Sequence, residues 1–356
     1  MVGSRVVKVG IIGCGEITQV AHIPTLGFLS DLFTITYLCD VSPANLAHNA
    51  QKVINHIPQK TLDYTELCAS PDVDLVFIAS SDEYHAIHAI EALRQGKHVF
   101  IEKPMALCER DADAIIAAEA DSMGRVMVGY MRRYAAAYLD VLNEIGGWDK
   151  IHYARSGTFP RSFSDLSAEV VEDKRAKAED IIQQALVVEC GLPVTEESAA
   201  MWRLLGGLGS HDLSAMREAL GMPQAVVGAS INLPFWSAII KYPSFSVTYE
   251  SGIDKIPRFD AHIEVYSPSK SVRVVYDTPY VKGLPVTMLV REGVDGVYKE
   301  TSVRRTYEDP YTLELKMLYR MVVEDSEVKT TAKDAKEDLK IFQMIMKAGF
   351  RPEVGS

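Results

Sequence analysis

The stretch Val9–Ile17 reads V-G-I-I-G-C-G-E-I and places the pattern G-x-G directly after a short apolar run. The run has the composition of a buried strand, and the glycines predict a tight turn into a helix. Gly15 lets the backbone approach a pyrophosphate, while the amides of Glu16 and Ile17 and the helix dipole hold the phosphates. The stretch therefore predicts a dinucleotide-binding turn formed by Gly13, Gly15, Glu16 and Ile17.

The G-x-G motif is imperfect, because Thr18 stands at its third position where Gly or Ala is usual. A lone G-x-G fits an ordinary tight turn as well as a cofactor site.

Asp40 favours the cofactor site, since it follows the apolar run Phe33–Cys39 and lies 25 residues beyond Gly15. The acidic residue that binds the adenosine ribose is expected after about 20 residues. Asp40 also repels a 2′-phosphate, which favours NAD over NADP without excluding NADP. The structural alternative is a turn residue ahead of Pro43.

Five short apolar runs alternate with helical segments in the first part of the chain. They are Val6–Ile12, Phe33–Cys39, Val73–Ala79, His98–Ile101 and Val126–Gly129. This rhythm predicts a doubly wound parallel sheet with helices on both faces, and we assign it to a domain over residues 1–131.

From residue 132 to residue 356 we expect a second, α+β domain. Its strands alternate strictly between apolar and polar residues, as in Phe259–Val265, with Asp260, His262 and Glu264 on the polar side. Such alternation predicts a large, mostly antiparallel open sheet with one face in solvent. The fold class is therefore α/β. Residues 164–202 are charged, with apolar residues at helical spacing, and predict a helical insertion that is either a lid or a solvated excursion.

Composition excludes several classes of partner. The 356 residues include 37 Lys and Arg against 48 Asp and Glu, a net charge of −11, which gives no bulk attraction for nucleic acid or anionic membranes. The five cysteines are far apart and form no C-x-x-C pair, which argues against a disulfide framework or a metal site. With no signal-peptide pattern at the start, we expect a cytoplasmic protein.

An acid and a base lie at the carboxyl end of the fourth apolar run, in Glu102-Lys103-Pro104. That edge of a parallel sheet is where ligands bind. Pro104 restricts Lys103 to an extended backbone, which fixes the direction of its side chain. We therefore predict that Lys103 polarises a substrate oxygen and that Glu102 accepts a hydrogen bond from a ribose hydroxyl.

These motifs together resemble the glucose-fructose oxidoreductase, inositol dehydrogenase and rhizopine catabolism family, called Gfo/Idh/MocA. The resemblance covers the amino-terminal half and rests on Gly13–Ile17 with His22–Pro24, Ala79–Ser81 with His85, Gly96–His98, Glu102–Pro104 and Val128–Tyr134. It implies a Rossmann domain, and a second domain whose open sheet often mediates homodimers or homotetramers. It also implies hydride transfer between a nicotinamide and a hydroxyl carbon of a sugar, inositol or related polyol.

The resemblance also implies roles for single residues of the first domain. Lys103 contacts the reacting hydroxyl as well as the cofactor, while Ser80, Ser81 and His85 lie on the nicotinamide side. The family usually has Thr-Pro where Ser80-Ser81 stands, so the loop departs from the pattern at Ser81. Hydroxyl and backbone groups remain there, and cofactor binding is expected to survive.

In the second domain the stretch Gly206–Leu213 matches the family's Asp-x-x-x-His motif. His211 falls on the histidine, but Gly207 stands where the family has Asp, which implies a different substrate. Ser210 is predicted to cap a helix that begins at His211, and the dipole of that helix favours the neutral imidazole. Arg132, at the exit of the first domain, is a further substrate-side candidate, with ion pairing as the alternative.

The sequence thus predicts an NAD(P)-dependent dehydrogenase or reductase acting on CH–OH, in which His211 accepts a proton and Lys103 stabilises an alkoxide. Two other functions remain open. One is an NAD-dependent glycosidase of the same family, and the other is a non-catalytic nucleotide sensor.

Overall fold

The computed structural model describes residues 5–160 and 173–350. The strands are β1 Val7–Ile12, β2 Phe33–Cys39, β3 Gln59–Thr61, β4 Leu75–Ile78, β5 His98–Glu102, β6 Val126–Gly129, β7 Tyr153–Pro160, β8 Ala225–Asn232, β9 Phe235–Lys241, β10 Ser246–Gly252, β11 Phe259–Tyr266, β12 Lys270–Tyr276, β13 Thr287–Val294 and β14 Val297–Val303. The α-helices are α1 Ile23–Phe28, α2 Pro43–Ala50, α3 Tyr64–Ala69, α4 His85–Arg94, α5 Glu109–Ala120, α6 Ala136–Ile145, α7 Lys174–Gln183, α8 Glu196–Leu204, α9 Ser210–Leu220, α10 Pro310–Glu324 and α11 Ala332–Gly349. Three π-helical segments are Thr18–His22, Gln184–Cys190 and Leu205–Gly209.

The described residues form two compact units. One contains residues 5–129, 173–185 and 314–337, and the other contains the rest. The sequence analysis assigns the segments 173–185 and 314–337 to the second domain, whereas the structure groups them with the first unit. The segment 173–185 groups with the first unit in part because α7 buries the side chains of Ile181 and Ile182. Residues 164–172 of the predicted insertion lie outside the described part of the chain.

The first unit is built on a six-stranded parallel sheet. Its strand order is β3-β2-β1-β4-β5-β6, so β1 lies between β2 and β4 and the order of the strands reverses around it. The central strands are buried on both faces, as the apolar runs predict, and Val9, Phe77 and Phe100 have no exposed surface. This is the doubly wound arrangement in which ligands bind beyond the carboxyl ends of the strands.

The second unit contains an eight-stranded mixed sheet. Its order is β14-β13-β12-β11-β7-β10-β9-β8, in which β7 and β10 pair in parallel and all other neighbours pair antiparallel. The predicted fold class, a doubly wound parallel sheet followed by a large and mostly antiparallel sheet, is therefore confirmed.

Two positions on the predicted solvated face of this sheet differ from the expectation, because His262 is 5% exposed and Glu264 is fully buried. Arginines on the adjacent strand β7 and on β13, two strands away, close over Glu264. The Nη2 atom of Arg155 on β7 donates to Glu264 Oε2 at 2.6 Å, and Nη1 of Arg291 on β13 donates to Oε1 at 3.0 Å. The apolar–polar alternation of β11 predicts that Glu264 is exposed to solvent. The charge pairs with arginines on other strands bury it instead.

All five cysteines are buried free thiols. Cys14, Cys39, Cys68 and Cys108 belong to the first unit, and Cys190 belongs to the second. Burial raises the pKa of the Cys39 thiol to about 12, and nearby acidic groups add to the shift. Within residues 5–160 and 173–350, no helix is both long and apolar enough to span a membrane.

Candidate active site

The turn after β1 has the geometry that the glycine motif predicts. Gly13 has φ +97°, and a Cβ placed on it would lie 2.4 Å from the carbonyl oxygen of Ala79. Gly15 is different, because a Cβ there would meet no described atom within 4 Å. Packing therefore requires a glycine at position 13, whereas Gly15 leaves open space beside the backbone. That space fits the close approach of a pyrophosphate.

Thr18, at the imperfect third position of the motif, stabilises the turn through its side chain. Its hydroxyl is buried and donates to the carbonyl oxygen of Gly13 at 2.6 Å. The amide of Gln19 donates to the carbonyl of Gly15, so the helix begins immediately after the second glycine. Glu16 and Ile17 then lie in its first turn, where amides lack intrahelical partners and are suited to an anion.

Asp40 ties the end of β2 to the glycine turn. Its Oδ2 accepts from the backbone amide of Cys14 at 2.6 Å, and its Oδ1 accepts from the amide of Ser42 at 2.8 Å. The first of these bonds was not predicted from the sequence. Each carboxylate oxygen has a second lone pair, and Asp40 is half-buried, so these bonds are compatible with the predicted contact to the ribose.

Two histidines order the loop after β4. Nδ1 and Nε2 of His85 lie 2.8 Å and 3.0 Å from the carbonyl oxygens of Pro104 and Ser80, and only 1% of the residue is exposed. His85 thus connects the loops that follow β4 and β5. The hydroxyl of Ser80 lies 3.0 Å from Nδ1 of His88, whose pKa is lowered to about 3 by burial and by the charges of His85 and Lys177. The predicted contact between His85 and the cofactor stays a prediction.

Glu102 and Lys103 lie at the carboxyl end of β5. Oε1 of Glu102 is 2.8 Å from Nε2 of His22, and Oε2 accepts from the backbone amide of Lys103 at 3.1 Å. Burial opposes ionisation of Glu102, but the hydrogen bond to His22 and the charge of Lys103 keep its pKa below the usual value. The sequence analysis did not predict His22 as a partner of this carboxylate, and the predicted hydrogen bond from a ribose hydroxyl to Glu102 stays a prediction.

His22 is the functional neighbour that the sequence analysis missed. It is fully buried and makes edge-on contacts with Phe77 and Phe100, with ring centroids 5.5 Å and 5.7 Å away. A hint exists in the sequence, since His22 follows Thr18 by four residues and therefore lies on the same helix face. Its pairing with a residue 80 positions away is not visible from that spacing.

The second unit places Arg132 in a buried polar cluster. Its Nη1 donates to Asp212 Oδ1 at 2.6 Å and to Thr158 Oγ1 at 2.8 Å, and the Thr158 hydroxyl also donates to Asp212 Oδ1. The guanidinium carbon lies 5.2 Å from the ring centre of Tyr276. Burial raises the pKa of Asp212, and Arg132 and Thr158 oppose that shift. Arg132 therefore forms an ion pair, which the sequence analysis gave as the alternative to a role in substrate binding. The contact of Arg132 with substrate stays a prediction.

His211 does not lie at the start of a helix. Residues Glu196–Leu204, Leu205–Gly209 and Ser210–Leu220 are helical without interruption, through a central π-helical segment. The prediction that Ser210 caps the helix is wrong, because the helix begins after Thr195, which forms a capping box with Ser198. The dipole argument for a neutral His211 fails with it.

Gly207 and His211 lie four residues apart on this continuous helix and therefore share a face. A Cβ on Gly207 would meet no described atom within 4 Å. Among the described residues, no other side chain thus occupies the position of the family's Asp. Among the described residues no group of three or more His, Cys, Asp and Glu is arranged to hold a metal ion.

The sheet order, the open Gly15 turn and the acidic residue after β2 are the features of a dinucleotide-binding domain. Residues 7–130 match the sequence model of the oxidoreductase family with an NAD-binding Rossmann fold, GFO_IDH_MocA. The match covers residues 7–130 of the 356, and over this region it confirms the resemblance to the Gfo/Idh/MocA family that the motifs predict.

Curated relatives agree with this assignment over the same region. The inositol 2-dehydrogenase of Salmonella typhimurium is 34% identical over 142 residues, which cover 39% of this chain and 41% of that protein. The inositol 2-dehydrogenase of Agrobacterium fabrum is 35% identical over 166 residues, which cover 44% and 48%. The chain thus spans less than half the length of these two relatives.

Solved structures resemble the chain over nearly all of its length. A 3-ketoreductase from Actinomadura kijaniata, determined with NADP and TDP-benzene, has a TM-score of 0.75 at 15% identity and covers 97% of this chain and 98% of its own. An oxidoreductase from Thermotoga maritima has a TM-score of 0.73 at 19% identity, with 97% of each chain covered. At these identities the likeness shows the fold alone.

Proposed function

We propose that this chain is an NAD(P)-dependent oxidoreductase that transfers a hydride between the nicotinamide and a hydroxyl-bearing carbon of a sugar, inositol or related polyol. The observation that carries the proposal is the open backbone at Gly15 beside the carboxylate of Asp40, at the strand-order reversal of a parallel sheet. The inositol 2-dehydrogenase relatives support a polyol as the substrate class.

In this proposal NAD is the preferred cofactor, because a carboxylate at Asp40 repels a 2′-phosphate and accepts from ribose hydroxyls. The cofactor supplies the hydride-accepting ring when bound. Gly13, Gly15, Glu16 and Ile17 form the turn around its pyrophosphate, and the loop containing Ser80 and Ser81 borders the nicotinamide side.

The protein itself has to accept or donate the hydroxyl proton and stabilise the charge that develops on the substrate oxygen. We assign to Lys103 the stabilisation of the alkoxide that forms as the substrate is oxidised, since a cationic amine lowers the energy of a developing negative charge. His211 accepts the hydroxyl proton, and both roles reverse during reduction. Glu102, held by His22, fixes the backbone at Lys103 through the hydrogen bond from its amide.

We further propose that the chain acts in the cytoplasm as a homodimer or homotetramer that pairs through its eight-stranded sheet. The exposed apolar side chains of Phe235 and Ile239 on β9 support a sheet-mediated contact. Buried thiols without disulfides are compatible with a reducing compartment.

The experiment begins with cofactor binding. We expect NAD to raise the midpoint of thermal unfolding more than NADP does, because a ligand that binds only the native state stabilises it. A panel of inositols and sugars is then assayed through nicotinamide absorbance, with parallel analysis of the products. Free sugar without net cofactor turnover indicates a glycosidase, and no turnover with retained binding indicates a sensor.

Lys103→Ala tests the mechanism. We expect its kcat/KM to fall by about 10²–10³-fold, the cost of removing one group that stabilises an oxyanion, while NAD binding is retained. Lys97→Ala is the control, because Lys97 directly precedes β5, at the end opposite to Lys103, and donates to the backbone carbonyls of Ser70 and Val73. Unchanged turnover in the Lys103 variant refutes the assignment.

A further inference from the structure

Helix α7 of the predicted insertion is anchored to the first unit by side chains. Nη2 of Arg110 donates to Asp180 at 2.7 Å, and the hydroxyl of Tyr84 donates to the carboxylate of Asp173. The amine of Lys177 lies 5.6 Å from the ring centre of Tyr84. The two contacts of Tyr84 join the start of α7 to the loop that follows β4, and the Arg110 bond joins the later part of α7 to α5.

The anchoring places one more cation at that edge. Nζ of Lys174 donates to Oγ of Ser81 at 2.9 Å, and the residue is half-buried. The backbone of Ala79 and Ser80, immediately before Ser81, packs against Gly13 so closely that no Cβ fits there. Lys174 therefore contacts the residue that directly follows the backbone packed against the phosphate-binding turn.

The bonding of Lys174 leaves its charge available. An ammonium carries three donors, and the hydrogen bond to Ser81 uses one of them on a neutral hydroxyl. Among residues 5–160 and 173–350 no carboxylate lies within 4.0 Å of its amine, in contrast to Lys177, which pairs with Asp173 at 3.4 Å. A half-buried cation that has no carboxylate partner among the described residues, close to an expected anion site, is an arrangement that a bound phosphate stabilises.

We propose that Lys174 binds the pyrophosphate of the dinucleotide, with Ser81 orienting its amine. This inference rests on the proposed function and extends it, because it assigns a cofactor-binding role to the inserted segment. It also explains how a chain with Ser in place of the family's Pro at position 81 uses that hydroxyl.

The test measures dissociation constants for NADH, ADP-ribose and AMP by titration calorimetry of the full chain. We expect Lys174→Met to weaken NADH and ADP-ribose about tenfold, the usual magnitude for one hydrogen bond to a charged group, and to leave AMP within twofold. Lys174→Arg should restore most of the loss. Raising the salt concentration should weaken ADP-ribose less in the Met variant than in the wild type.

Arg175→Met is the matched control, because it removes the same charge from the adjacent residue. Arg175 is 88% exposed and pairs with Glu179, so its loss should leave all three constants within twofold. Unchanged ADP-ribose binding in Lys174→Met would overturn this inference but not the proposed function. The same holds if Arg175→Met loses as much affinity for ADP-ribose as Lys174→Met does. A wild-type chain that binds neither NADH nor NADPH refutes the proposed function and this inference together.

Discussion

Asp212 and Arg132 form an ion pair with almost no access to water. Their side chains are 1% and 3% exposed, and Thr158 donates to the same carboxylate oxygen that Arg132 contacts. Such a pair contributes little net stability compared with apolar residues of equal volume, yet breaking it leaves a buried charge without compensation. The cluster therefore holds the amino-terminal part of α9, next to His211, in one arrangement.

Asp212→Asn is predicted to destabilise the chain by about 3–5 kcal/mol, because Arg132 then keeps its charge in a buried site without a counterion. Denaturant unfolding followed by circular dichroism measures the loss. The double variant Arg132→Met with Asp212→Asn should recover most of it, since the uncompensated charge is gone. A loss below about 1 kcal/mol in the single variant would contradict this account.

Single residues also show where sequence reasoning ends. Asp40 and Lys103 are recognisable because they follow apolar runs and so lie at the edge where ligands bind. Their immediate partners are not recognisable in this way. The bond from the Cys14 amide to Asp40 and the contact of His22 with Glu102 join residues 26 and 80 positions apart, which only the folded sheet brings together.

At the scale of elements, apolar strands were predicted well and polar ones were missed. The runs Phe33–Cys39 and Val126–Gly129 coincide with β2 and β6, because strands buried on both faces are continuous in hydrophobicity. Strand β3 consists of Gln59, Lys60 and Thr61 at the edge of the sheet, where burial imposes no such pattern. The sequence analysis predicted that a helix begins only at His211, after Gly206, Gly207 and Gly209. In the structure the helix continues through these glycines, because packing overrides their low helix propensity.

Helix α10 carries a buried carboxyl group that the sequence does not reveal. Glu314 is fully buried, and neither of its oxygens has a hydrogen-bond partner among the described residues. Burial raises its pKa well above the usual 4.5, and the charge of Glu102 adds to the shift. A raised pKa in the folded state means that the side chain favours folding below pH 4.5 and opposes it increasingly as pH rises through the folded-state value.

Glu314→Gln is therefore predicted to have little effect on the melting temperature at and below about pH 4.5 and to raise it progressively as the pH increases above that value. The amide keeps the shape of the protonated carboxyl but cannot ionise. Glu324→Gln, in the last turn of the same helix, is the control, because Glu324 is 52% exposed and its contacts with Arg320 and with the Ser326 hydroxyl lie at the surface. A difference between wild type and Glu314→Gln that does not change with pH would disprove the explanation.

At the scale of the whole molecule, the first unit is not a continuous piece of sequence. Its last segment, 314–337, contributes Tyr319, whose hydroxyl donates to the carbonyl of Arg5 at 2.9 Å and whose ring packs edge-on against Phe33. The amide of Val128 on β6 donates to the carbonyl of Thr330 at 2.8 Å. The boundary at residue 131 therefore marks where the parallel sheet ends but not where its supporting residues end.

A fragment of residues 1–130 is accordingly predicted to unfold at a lower temperature and less cooperatively than the same fragment joined to residues 310–337 by a flexible Gly/Ser linker. In the added segment, Tyr319 of α10 packs against Phe33 and the carbonyl of Thr330, beyond the helix, accepts from the amide of Val128. Calorimetry of both fragments measures the difference. Tyr319→Ala in the longer fragment should remove much of the gain, and equal melting of the two fragments would show that the returning segment is dispensable.

The distribution of the buried thiols has a practical consequence. Four of them lie in the first unit and Cys190 alone lies in the second, and burial raises the pKa values of Cys14, Cys39 and Cys68 so that alkylating reagents find little thiolate in the folded chain. The alkylation of each cysteine therefore reports when the structure around that cysteine opens. Pulse alkylation followed by peptide mass spectrometry would give the order in which the two halves lose their structure, without any engineered probe.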